Sequence, residues 1–206
     1  MPSSLNNLAE RRQQLAQLKS AVLNLTVSPL YSYRVANKYW PVIGEGRHDA
    51  RIMLIGEAPG KNEALTGRPF CGAAGKILDE LLAGIDLKRE EVYIANILKD
   101  RPPANRDPLP EEIAVYGPFL DRQIEIIQPA IIATLGRYSM GYVLEKFGLA
   151  DILGTIGRLH GQEFVAEASY GSVRIIPLYH PAAAIYDRSL LETLRRDFKI
   201  LTQVKI

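Results

Sequence analysis

Four side chains in this sequence have the types and settings to act on a flat polar ring. Asn96 stands inside an apolar stretch, VYIANIL, and His180 closes another, in LYHPAAAIYDR. Glu57 and Phe70 lie in IGEAPGKNEALTGRPFCGAAG, a segment from Ile55 to Gly75 with five glycines and two prolines. Each residue also has a plainer structural reading. A buried amide left unpaired costs about 1–3 kcal/mol, so Asn96 is either a satisfied core amide or one that offers an acceptor and a donor to a planar heterocycle. His180 is either a packed imidazole or a donor at a pocket, and Phe70 is either core or a stacking surface on a glycine-flanked turn. Lys99, Arg101 and Arg106 occur in KDRPPANRDPLP, a stiff basic loop that is either solvated or turned toward a polyanion.

The glycine-rich segment is not a phosphate cradle. Its spacing is neither GxGxxG nor GxxxxGK[ST], Pro59 removes a backbone donor, and Glu57 and Glu63 repel an anion.

The elements that must position these residues alternate. Four short runs rich in β-branched residues, 51–55 (RIMLI), 92–98 (VYIANIL), 130–135 (AIIATL) and 173–179 (VRIIPLY), read as strands buried on both faces. Between them lie helical stripes: Ile77, Leu78, Leu81, Leu82 and Ile85, then Ile113, Leu120, Ile124 and Ile127 behind Pro110, Glu111 and Glu112. An amphipathic helix is expected at about residues 4–25, with Leu5, Leu8, Leu15, Leu18 and Val22 on its apolar stripe, and a last helix over 189–204. GQEFVAEASYGSVRIIPLY reads as a hairpin leading into the last core strand. The pattern predicts one domain over 1–206, an α/β fold: a three-layer α/β/α sandwich with a central, mostly parallel four-stranded sheet. Ligands of such sheets gather at the carboxyl ends of the strands, which puts residues 56–60, 96–107, 136–139 and 180–186 on one rim.

Bulk properties narrow the class. Lys and Arg number 25 against 23 Asp and Glu, a net charge of +2, so a nucleic-acid partner must be drawn by local clusters. The one cysteine, Cys71, excludes a disulfide framework and a cysteine-ligated metal site within one chain. No apolar signal core opens the sequence and no apolar run reaches membrane-spanning length, so a soluble cytoplasmic protein is expected. On the rim, Asn96 matches uracil, whose N3–H and O4 pair with one carboxamide. Cytosine reverses both features, and paired contacts of this kind discriminate by up to about 10⁴-fold.

GEAPGKNE with GRPFCGAAG, NILKDRPPANRDPLPEEI, and HPAAA occur in that order, and together they resemble the family 4 uracil-DNA glycosylases of the uracil-DNA glycosylase superfamily. The resemblance runs from about Pro29 to the last helix. It implies excision of uracil flipped out of DNA, leaving an abasic site, by a monomer. Glu57 is then at the pocket floor beside the sugar–base bond, flanked by Gly56 and Ala58. Phe70 stacks on the base, Asn96 reads its pairing edge, and His180 donates to O2 as charge builds there. Arg101 and Arg106 face DNA, and the loop from Pro181 and Ala182 to Ile185 and Tyr186 enters the minor groove, with Ile185 or Tyr186 as a wedge.

The resemblance also implies four cysteines holding a [4Fe–4S] cluster, and this chain departs from it. Leu25, Ser28, Asp100 and Tyr116 occupy those positions, and Cys71 does not. No cluster is expected here, no other metal or cofactor is called for, and apolar packing is expected to take over the cluster's stapling role. Two rival readings stay open: a non-catalytic DNA-binding relative, and a glycosylase for another damaged base. Retention of Glu57, Phe70, Asn96 and His180 together speaks against the first, and comparison of several damaged duplexes decides the second.

Overall fold

Apolar side chains of the strand-like runs divide between two faces, and that division builds the layers. The computed structural model describes residues 4–203. In chain order the elements are α1 (Ser4–Leu23), α2 (Tyr31–Ala36), β1 (Glu45–Gly46), β2 (Ile52–Gly56), α3 (Lys61–Thr66), α4 (Ala73–Ala83), β3 (Tyr93–Asn96), α5 (Pro110–Ile127), β4 (Ile131–Leu135), α6 (Arg137–Lys146), α7 (Ile156–Leu159), β5 (Phe164–Ala168), β6 (Gly171–Leu178), α8 (Ala183–Tyr186), α9 (Ser189–Phe198) and α10 (Ile200–Gln203).

Met53 and Ile55 of β2, with Tyr93 and Ala95 of β3, pack with Leu15, Leu18 and Val22 of α1 and with Leu120 and Ile124 of α5. Ile52 and Leu54 face the other way, against Leu78, Leu81 and Leu82 of α4 and Leu194 and Phe198 of α9. The period-two alternation along each strand therefore feeds two cores, one on each side of the sheet. The three-layer α/β/α arrangement is as the sequence predicts.

The sheet has six strands rather than the expected four, in the order β1-β3-β2-β4-β6-β5. The four expected strands form the parallel centre, β3-β2-β4-β6. An antiparallel strand closes each edge: β5 is the first arm of the anticipated hairpin, and β1 pairs Glu45 and Gly46 with Ile94 and Tyr93. β1 has two residues and no hydrophobic pattern of its own, so only its pairing defines it.

Helix ends follow from local chemistry. α5 opens with Pro110 at its first position, and the Glu112 carboxylate accepts the Leu109 N–H at 2.9 Å. α1 stops at Leu23, two residues short of expectation, and the Leu5 side chain lies outside the described side chains. The expected last helix is divided into α9 and α10 at Lys199, and Val204 lies outside the described residues. No helix among the described residues is long and apolar enough to cross a membrane.

Candidate active site

Parallel register brings the chemistry-bearing residues to one edge. Gly56, the last residue of β2, is directly opposite Asn96, the last residue of β3, and His180 follows β6 by two residues. A cavity of about 480 Å³ opens there. Its lining includes Glu57, Ala58, Glu63, Phe70, Asn96 and His180. The two residues on which the sequence reading rests, Asn96 and His180, therefore share one cavity.

Asn96 is 2% exposed, and its Oδ1 is buried without a hydrogen-bond partner. Since buried polar atoms are as a rule paired, an orphaned amide oxygen beside a cavity is an acceptor awaiting a donor. Gly56 makes the space: a Cβ on it would lie 2.3 Å from Asn96 Oδ1 and 2.7 Å from the Phe70 ring. Gly56 itself does not line the cavity; it lets the amide and the ring approach the strand.

Phe70 is held in a strained backbone. Its φ is +46°, a left-handed conformation that costs a side-chain-bearing residue about 1–2 kcal/mol. Two contacts enforce it. A Cβ at Gly75 would lie 1.8 Å from the Phe70 carbonyl oxygen, so only glycine admits the turn there. Glu63 Oε1 accepts the N–H groups of Cys71 at 3.0 Å and Gly72 at 2.9 Å, tying the turn to α3. Strain kept at a cavity wall in this way is a mark of a functional position.

The His180 ring stacks on Phe70, with centroids 5.5 Å apart and planes at 28°. Burial pushes its pKa down to about 4, with Glu63 opposing, so the ring is neutral at physiological pH. Its Nδ1 accepts the Ala182 N–H at 3.1 Å, which leaves the proton on Nε2. His180 is thus a neutral donor with a fixed tautomer. Glu57 is shifted the other way, to about 7, by burial first and then by the nearby Asp107 charge, with Arg137 opposing. Arg137 and Asp107 are themselves paired at 2.7 Å.

The remaining expected site residues are spread around the opening. Ala182 and Arg106 line the cavity, while Arg101, Pro181, Ile185 and Tyr186 do not. Arg106 is occupied by Glu112, with contacts at 2.5 and 2.9 Å. Arg101 donates to the Tyr39 hydroxyl at 2.9 Å and to Asn105 at 2.7 Å. Ile185 and Tyr186 project from α8, and Tyr186 is 90% exposed. Lys99 departs from the basic-loop reading altogether: it is fully buried, and its ammonium donates to the Asn96 main-chain carbonyl at 2.7 Å and to Gln123 Oε1 at 2.5 Å. Glu63 was legible in the sequence only as an acidic residue, because its acceptor role depends on a turn eight residues away.

Three of the positions at which the resemblance implies cysteines come together, but as a polar chain rather than the expected apolar packing. The Leu30 N–H donates to Ser28 Oγ at 3.1 Å, Ser28 is bonded to the Tyr116 hydroxyl at 2.6 Å, and that hydroxyl donates to Asp100 Oδ2 at 2.5 Å. Arg34 donates to both Asp100 oxygens, at 3.2 and 3.3 Å, and to the Val22 and Leu23 carbonyls that end α1. Leu25 packs on the adjoining core. Hydroxyl, phenol and a single carboxylate already paired with arginine are not iron–sulfur ligands, so these residues do not fit a cluster. Cys71 is elsewhere, 3.3 Å from Thr66 Oγ1. No group of three or more His, Cys, Asp or Glu among the described residues is arranged to hold a metal ion.

A mostly parallel α/β sheet with a cavity lined by an amide and an imidazole at its carboxyl edge defines a recognisable class. The family model described as Uracil DNA glycosylase superfamily matches residues 43–201, and the chain belongs to that superfamily and, by its relatives, to the type-4 family within it. It is 42% identical over 193 residues to a type-4 uracil-DNA glycosylase of Sulfurisphaera tokodaii, covering 93% of this chain and 85% of that protein. It is 46% identical to the type-4 uracil-DNA glycosylase of Archaeoglobus fulgidus, covering 81% and 82%. A third, from Thermotoga maritima, is 40% identical over 86% of this chain and 87% of its own length.

Proposed function

We propose that this chain is a cytoplasmic, single-domain, monomeric uracil-DNA glycosylase that works without an iron–sulfur cluster. It hydrolyses the N-glycosidic bond of uracil flipped out of DNA and leaves an abasic site. The observation that carries this reading is the orphaned Oδ1 of Asn96, an acceptor matched to the N3–H of uracil, in a cavity that also holds a neutral imidazole donor.

The extruded base enters beside Phe70, and the amide of Asn96 pairs with N3–H and O4. The bond from C1′ to N1 then breaks, its electron pair leaving with uracil as an anion while the sugar becomes cation-like. His180, with its proton on Nε2, donates to O2 where the negative charge collects. A preorganised donor at such a point lowers the barrier by about 2.7–4 kcal/mol. Water adds at C1′ and gives up its proton to solvent. Glu57, when ionised, stabilises the cationic sugar and orients that water. Arg101 contacts the phosphates, Arg106 stays at the rim with Glu112, and Ile185 or Tyr186 fills the gap in the duplex.

Uracil release from a defined duplex by the purified full chain tests this, with iron and acid-labile sulfide measured on the same sample. Release is expected without stoichiometric iron or sulfide. Asn96→Ala and His180→Ala are each expected to slow it by about 10²–10³-fold with the fold retained. Release by Asn96→Ala at the unsubstituted rate, or equal cutting at cytosine, overturns the recognition; absence of release by the unsubstituted chain overturns the activity.

A further inference from the structure

We propose that Lys99 is a positioning residue for Asn96, gripping the base-reading residue from behind through its main-chain carbonyl. The inference rests on the base-reading role of Asn96 proposed above. Lys99 is fully buried, and the contacts of its ammonium are all neutral oxygens: the Asn96 carbonyl at 2.7 Å, Gln123 Oε1 at 2.5 Å and the Ile43 carbonyl at 3.5 Å. An ammonium with three N–H groups is thereby matched to three acceptors, one of them the carbonyl of the residue whose side chain faces the cavity.

Burying a cation with no carboxylate opposite is costly, and the fold shows the cost: burial drives the Lys99 pKa down to about 7. A leucine or methionine would serve packing alone better, so the charge has to be explained by what it touches. What it touches is the place where β3 ends. Beyond Asn96 the ladder continues, with Ile97 N–H donating to the Gly56 carbonyl and Leu98 N–H to the Glu57 carbonyl. Lys99 folds back across this extension to Asn96, three residues earlier, and fixes the peptide plane from which the reading amide departs. Gln123 in turn is held by the Ile43 carbonyl at 2.8 Å and the Tyr93 hydroxyl at 2.9 Å. The grip is therefore anchored on α5 and on the segment before β1, elements that do not themselves reach the cavity. Displacement of a reading group by about 1 Å is enough to cost roughly 10²-fold in rate.

The test is a double-substitution cycle on the full chain, under single-turnover conditions with enzyme in excess. Lys99→Met should slow uracil release about 10–100-fold and weaken competitive inhibition by free uracil. In an Asn96→Ala background the same substitution should change the residual rate less than about twofold, because the group through which Lys99 acts is gone. An equal loss in both backgrounds, or no loss with Asn96 intact, overturns the proposal. Should Lys99→Met not fold, Gln123→Met carries the same cycle, with a smaller loss that must likewise vanish in Asn96→Ala. If the unsubstituted chain released no uracil, the glycosylase reading would fail instead, and the two failures are distinct.

Discussion

Glu57 and His180 line one cavity, yet burial sends their protonation in opposite directions, the carboxyl up to about 7 and the imidazole down to about 4. Through the neutral range His180 stays uncharged with its donor in place, so the acid limb of the rate profile belongs to Glu57. Below about 7 the carboxyl is protonated and offers no charge to a cationic sugar. The rate of base release should therefore fall on going from about pH 8 to about pH 6, and this fall should be absent in Glu57→Gln, whose rate is lower throughout. Stability carries the reverse sign. A carboxyl whose folded pKa exceeds its unfolded value gives stability that is present below the unfolded value and is lost as pH rises through about 7. Glu57→Gln should accordingly gain melting temperature at alkaline pH relative to the unsubstituted chain, and show no such gain at acid pH. A profile that keeps its acid limb in Glu57→Gln assigns the ionisation to another group.

Four segments meet where the sequence resemblance implies cluster ligands: the α1–α2 connection with Ser28, α2 with Arg34, the segment after β3 with Asp100, and α5 with Tyr116. The Asp100 and Arg34 side chains are 0% and 6% exposed, so removing one partner strands the other in a dry interior. Asp100→Asn should lower unfolding stability by about 3–5 kcal/mol. Tyr116→Phe, which breaks the link to Ser28 and leaves Asp100 short of a donor, should lower it by about 1–3 kcal/mol. Replacing Arg34 and Asp100 together with apolar residues should cost less than Asp100→Asn alone. Urea midpoints for the folded variants measure all three, and losses within about 0.5 kcal/mol would reduce the network to a bystander. This region was the least legible in the sequence. The central strands show themselves as apolar runs, and Asn96 and His180 announce themselves as polar groups at strand ends. Arg34 in YSYRVANKY and Lys99 in LKDRPP look like ordinary surface cations, because all but one of the acceptors that bury them lie 11 to 66 residues away. β1 is hidden for the same reason, being a strand only by virtue of its partner.

At the scale of the whole molecule, a net charge of +2 gives no general pull toward DNA, so attraction depends on which cations at the cavity rim are still free. Arg106 is held by Glu112 and Arg137 by Asp107. Lys61, on the cavity lining, and the exposed Arg188, just beyond α8, have no ion pair among the described residues, and Arg101 has no carboxylate partner among them, its contacts being the Tyr33 and Tyr39 hydroxyls and the Asn105 amide. Three free cations release few counterions. Binding to an undamaged duplex should then show a slope of log K against log salt of about −3, since each neutralised phosphate contributes about −0.9. Titration of fluorescent duplex across a range of salt measures it. Substituting Arg101 should flatten the slope by about one, whereas substituting Arg137, already neutralised, should leave it nearly unchanged. A slope of about −6 or steeper would mean that the paired arginines exchange their carboxylates for phosphates on binding, and that the rim is rebuilt by the DNA rather than waiting for it.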